Sequence, residues 1–126
     1  MSKPQIEYYE TDLFQKEFNK LAKKYRSLPD DFLVAKKNAI ELFHIQHLDN
    51  HSVFAIEGEC TPNIMFYKLK KFACKSLKGR GNKSGIRIIY AYHVDIRRVV
   101  FIQIYFKADQ ENEDRQRIRE YLSEQI

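Results

Sequence analysis

The sequence has no tryptophan, two cysteines, three prolines and four glycines, and its apolar residues never run on for the ~18 positions that a membrane span requires. Each scarcity closes a class. Without a long apolar run, no membrane partner is expected. Met1-Ser2-Lys3-Pro4 has no apolar stretch behind it, so no secretion signal is read there. Cys60 and Cys74 match no metal-binding or redox spacing and read as reduced thiols of a cytoplasmic protein. No stretch rich in proline, glycine or serine divides the 126 residues, and no internal repeat appears, so residues 1–126 are expected to form one domain. What is present is a core: 44% of the residues are apolar, with nine Phe and eight Tyr, which a disordered chain lacks.

The most informative absence is local. Between Tyr67 and Arg87 there is no acid, although the whole chain has 17. The same stretch holds Lys68, Lys70, Lys71, Lys75, Lys78, Arg80, Lys83 and Arg87, eight of the 22 basic residues, and leaves the remainder net acidic. Such segregation is costly in self-repulsion unless an anionic partner relieves it, which points to a polyanion. A solvated lysine-rich loop is the plain alternative for the part that is not strand.

Periodicity supplies the elements. Ile6 to Tyr9 read as a short strand. Thr11 is a helix N-cap, with Asp12 in the first turn and Leu13, Phe14, Phe18, Leu21, Ala22 and Tyr25 at helical spacing. Ser27-Leu28-Pro29-Asp30 ends that helix and begins a second, whose stripe is Phe32, Ala35, Ala39, Leu42 and Phe43. Ser52 to Ile56 is a possible strand. Met65 to Phe72, Ile86 to His93 and Val99 to Phe106 then alternate as strands, and a last helix starts near Asn112. The expected fold is α+β, an N-terminal helix pair packed on a small antiparallel sheet, with a C-terminal helix.

Strand parity assigns faces. Val100, Ile102, Ile104 and Phe106 are expected to face the helix pair, as are Tyr67, Leu69, Ile86, Ile88 and Tyr90. The opposite face then gathers Phe66, Lys68, Lys70, Phe72, Arg87, Gln103, Tyr105 and, just past the strand, Lys107, with Val99 and Phe101 covered at one end by the final helix.

The runs Phe66-Tyr67-Lys68-Leu69-Lys70, Ser84-Gly85-Ile86-Arg87-Ile88-Ile89-Tyr90-Ala91-Tyr92 and Val100-Phe101-Ile102-Gln103-Ile104-Tyr105-Phe106-Lys107 resemble the RelE/ParE superfamily of bacterial type II toxins, most closely its RelE/HigB-like branch. The resemblance covers residues 64–118. It implies a toxin that cleaves mRNA on the ribosome without a cofactor and is neutralised by a cognate antitoxin. By position Lys68 and Lys70 match the family's basic strand residues and Arg87 its central arginine. Lys107 stands where the family has a basic residue after the last strand, but a lysine lacks arginine's forked contact. Tyr121 is a candidate for the family's C-terminal tyrosine. A gyrase inhibitor of the ParE type and a non-catalytic nucleic-acid-binding domain are the alternatives. Lys68, Lys70 and Arg87 favour the nuclease.

Cleavage of RNA requires removal of the 2′-OH proton, stabilisation of the phosphorane and protonation of the leaving 5′-oxygen. Fixed cations supply much of this electrostatically. Arg87 suits the scissile phosphate. Lys68 and Lys70 suit charge stabilisation, and one of them, its pKa lowered by the other cations, suits proton transfer. Tyr105 is a candidate to orient or stack on a nucleotide, or an ordinary strand aromatic. Lys71, Lys75, Lys78, Arg80 and Lys83 are expected to dock RNA, including rRNA of the ribosome. His44, His47 and His51 share a helical spacing, but no further ligand completes a metal site, and they read as a frayed, solvent-facing helix end. His93 reads as a strand-end residue. Glu111, Glu113 and Asp114 read first as the dipole-favoured start of the last helix and second as acid–base groups.

Overall fold

Local signals set the helix boundaries. In the computed structural model, which describes residues 5–49, 51–70, 72–77, 79, 81 and 84–125, strand β1 (Glu7–Glu10) leads to α1 (Asp12–Lys24). The Thr11 side chain accepts from the Phe14 amide at 3.2 Å and so satisfies one of the helix's free donors. Pro29 sits in the first turn of α2 (Leu28–Ala35), where a missing N–H costs nothing. This helix continues as a π-helical stretch, Lys36–Glu41, into the single turn α3 (Leu42–His44). Asp114 caps α4 (Arg115–Glu124) by accepting from the Arg117 amide at 3.1 Å.

The strands β2 (Val53–Ala55), β3 (Ile64–Leu69), β4 (Ile86–His93) and β5 (Arg98–Phe106) join β1 in one sheet ordered β1-β5-β4-β3-β2. The sheet is mixed rather than wholly antiparallel, because β1 lies parallel to β5. β1 pairs only with Arg98 to Phe101, four of the nine residues of β5. Beyond it, side chains satisfy the open edge: Glu17 accepts from the Ile104 amide at 3.3 Å, and Arg117 donates to the Ile102 carbonyl at 2.9 Å.

The helix pair covers one face of the sheet and α4 the other. Phe14, Leu28, Phe32 and Ile40 pack with Leu69, Ile86, Ile88, Tyr90, Val99, Phe101 and Ile104 in the larger core. Ile118 of α4 closes a smaller one over Ile56, Phe66, Ile89, Ala91, Ile102 and Tyr105. Strand parity assigns β4 correctly and fails in the first half of β5. Val99 and Phe101 face the helix pair, and Ile102 lies under α4. The cause is a β-bulge: Ile89 pairs with Gln103 and Tyr90 with Phe101, which leaves Ile102 as the extra residue and reverses the alternation from there on. Phe72 likewise belongs to the helix-pair core, because the chain has left the strand after Leu69. No helix among the described residues is long and apolar enough to cross a membrane.

Candidate functional site

The α4 face of the sheet carries the basic residues at one end. Arg87 pairs across the strands with Tyr105, and Leu69 with Ile88, so the next step of that ladder brings Lys70 beside Arg87. Lys68 lies one pleat further along β3, on the same face. Lys107 follows Tyr105 by the same interval, its amide bonded to the Gly85 carbonyl at 2.8 Å. Burial pushes the Lys70 ammonium below its ordinary pKa, and the charges of Lys68, Arg87 and Lys107 push it further, against the opposing pull of Glu113. Its Nζ lies 4.8 Å from the centre of the Phe54 ring on the edge strand β2.

Glu113 completes the arrangement from the connection between β5 and α4. It forms an ion pair with Lys68, and the two side chains are only 7% and 15% exposed. Its second oxygen accepts from Arg115 Nε at 3.0 Å. Burial alone would raise the Glu113 pKa. Lys68, the residue's own backbone N–H and Arg115 outweigh it and hold the carboxyl below the usual range. The residues on either side are tied down. The Asp114 amide donates to the buried Gln103 side chain at 2.9 Å, and Arg115 donates to the Glu57 carbonyl at 2.8 Å. Phe54, Ile56, Lys68, Lys70, Glu113 and Arg115 border an open cleft of about 220 Å³.

Lys68, Lys70, Arg87 and Tyr105 thus come together, with Lys107 exposed at the margin. Tyr105 is 5% exposed and packs within the α4 core. Burial and Glu113 push its hydroxyl up to about 12, against the pull of Arg87. Lys75 is exposed, and its backbone is anchored to α2 by a 2.9 Å bond to Asp31. Lys71, Lys78, Arg80 and Lys83 lie outside the described residues. Two expectations are corrected. Phe66 and Phe72 are buried, not part of an open charged face. His44 is no frayed end: it stacks on Tyr92 with ring centroids 4.0 Å apart and its Nε2 lies 2.8 Å from the Tyr90 hydroxyl. Tyr121 meets His93 Nε2 at 2.6 Å and packs edge-on against Phe66.

In sequence Glu113 reads as a helix-start acid, and Phe54 and Arg115 carry no signal, because all three reach the cleft through long-range packing. A larger groove of about 620 Å³ runs from Tyr105 and Phe106 to α1, where Lys20, Lys23 and Lys24 line it. No spacing signal within α1 distinguishes those lysines from a solvated helix face.

No family model matches the chain, and no curated protein does. Among solved structures, it is similar to a chain of the archaeal RelE–RelB complex from Pyrococcus horikoshii OT3. The TM-score is 0.53 at 14% identity, over 81% of this chain and 94% of that one. The fold is therefore RelE-like, an α+β sheet with helices on both faces. The particular chemistry rests on the side chains this chain places on it.

Proposed function

We propose that this chain is the toxin of a type II toxin–antitoxin pair, an endoribonuclease that cleaves mRNA on the ribosome by attack of a 2′-OH on the adjacent phosphate. The observation that carries the reading is the convergence of Lys68, Lys70 and Arg87 on one face of a RelE-like sheet, with Lys68 and Lys70 lining a cleft there. Arg87 grips the scissile phosphate through its planar fork. Lys68 and Lys107 stabilise charge on the phosphorane. Lys70, whose ammonium is made more acidic by its surroundings, gives a proton to the leaving 5′-oxygen. Lys71, Lys75, Lys78, Arg80 and Lys83 dock the RNA or rRNA backbone, in the cytoplasm where both occur. A cognate antitoxin with an acidic segment neutralises the face, and Phe54, partly exposed beside Lys70, offers it an apolar contact.

The test is cleavage of labelled RNA by the purified protein, with and without ribosomes, with product ends identified as 2′,3′-cyclic phosphate and 5′-OH. Arg87→Ala, folded by circular dichroism, is expected to lose at least about 100-fold in rate. Wild-type cleavage by that variant would remove Arg87 from the mechanism. Intact transcripts together with double-strand DNA breaks in cells would point to a gyrase target instead.

A further inference from the structure

A 2′-OH is a poor nucleophile until a base takes its proton, and three neighbouring cations are poorly suited to that task. Ammonium and guanidinium groups hold their protons at neutral pH, and removing a proton from any of them sacrifices the charge that binds phosphate. The cleft contains an acceptor. Glu113 is ion-paired with Lys68 and acts electrostatically on both Lys70 and Tyr105, the neighbours of Arg87 on either side.

We propose that Glu113 is the general base that takes the 2′-OH proton, an inference that rests on the endoribonuclease reading. In the step, the 2′-oxygen passes its proton to the Glu113 carboxylate as the 2′-O–P bond forms. The P–O5′ bond breaks, and the 5′-oxygen takes a proton from the Lys70 ammonium. Water then returns a proton from Glu113 to the solvent and one to Lys70. The products are a 2′,3′-cyclic phosphate and a 5′-OH, with no net change in the protein.

Three observations favour a base over a carboxylate that merely plugs the phosphate site. First, Glu113 is pinned on both sides of the chain, by Asp114 on Gln103 and by Arg115 on Glu57, and a plug must leave. Second, Arg115 is shared with Glu59 at 3.6 Å, so displacing Glu113 would disturb a second ion pair. Third, the carboxyl is ionised at neutral pH and ready to accept a proton, because Lys68 and Arg115 hold it below the usual range. Among the described residues, the charged and titratable groups around it are Lys68 on β3 and Lys70 just past its end, Tyr105 from β5, and Arg115 on its own segment. Arg87 and Lys107 act on the same Lys70, and Glu57 and Glu59 lie behind Arg115.

Single-turnover cleavage of an RNA oligonucleotide, measured from about pH 3.5 to 9 so that the lowered Glu113 carboxyl titrates within the range, and alongside RNA affinity, tests the assignment. Glu113→Gln is expected to cleave 10²–10⁴-fold more slowly, to lose the acidic limb of the pH–rate profile, and to bind RNA as tightly as wild type or more so. Glu113→Asp keeps a carboxylate and is expected to recover part of the rate with that limb intact, which separates chemistry from misfolding. A Glu113→Gln enzyme as fast as or faster than wild type, while Arg87→Ala is inactive, would overturn the base and leave the nuclease reading standing. Absence of cleavage by the wild type, with and without ribosomes, would overturn both.

Discussion

Arg117 of α4 grips Glu17 of α1 through both terminal guanidinium nitrogens, at 2.8 and 2.9 Å, although the two helices lie on opposite faces of the sheet. They meet around the half of β5 that β1 leaves unpaired, where Glu17 also accepts from the Ile104 amide and Arg117 donates to the Ile102 carbonyl. One ion pair therefore clamps both layers and closes a strand edge that would otherwise be open to another chain.

Removing this clamp is expected to loosen α4. Arg117→Ala should lower unfolding free energy by about 1–2 kcal/mol, since the pair is forked and mostly screened from water yet not fully buried. Urea denaturation measures this. Because α4 follows directly on Glu113, the variant should also exchange the Asp114 and Arg115 amides faster. A variant as stable as wild type would show that the ion pair adds no net stability to this edge.

His44 makes stability depend on pH. Burial, with a smaller push from His47, lowers its pKa from 6.5 to about 4. The unfolded chain therefore binds a proton that the folded chain refuses. The stabilisation is fully present above pH ~6.5 and is lost as pH falls toward 4, an effect of order 2 kcal/mol for a group that retains some solvent contact. Unfolding free energies measured from pH 7.5 to 4 should fall less steeply in His44→Gln, which keeps a partner for the Tyr90 hydroxyl. Identical slopes in the two proteins would refute the assignment.

Asp31 anchors the start of the long basic connection between β3 and β4. It accepts from the Ser27 hydroxyl at 2.6 Å and from the Lys75 amide at 2.9 Å, and the Ser76 amide donates to the same Ser27 hydroxyl at 2.7 Å. Asp31→Ala leaves the Ser27 hydroxyl and the Lys75 amide without their buried acceptor and should cost about 2 kcal/mol. Limited proteolysis should then cut near Lys75 before global unfolding. Resistance equal to wild type would place the anchor elsewhere, in the Ser84–Phe72 contact that closes the same connection.

The elements of this protein were legible because their signals are local. Thr11 announces α1 by a side chain that satisfies an amide three residues on, Pro29 marks the first turn of α2, and β4 alternates faithfully from Ile86 to His93. Lys68, Lys70 and Arg87 could be placed on one face because parity holds along β3 and β4. It did not hold along β5, where Ile102 bulges: an extra residue leaves no mark on hydrophobic alternation when every candidate is apolar. The place of β1 beside β5 was likewise hidden, since strand pairing depends on which edge is free after the rest has folded. Glu113 shows the division most clearly. Sequence alone makes it one acid among three before a helix. Only the docking of α4, through Ile118 in the core, Asp114 on Gln103 and Arg117 on Glu17, sets that carboxylate against Lys68. A strand displays its side chains by a two-residue period that sequence records directly, whereas a contact between a loop and a strand 45 residues away exists only once the layers have packed.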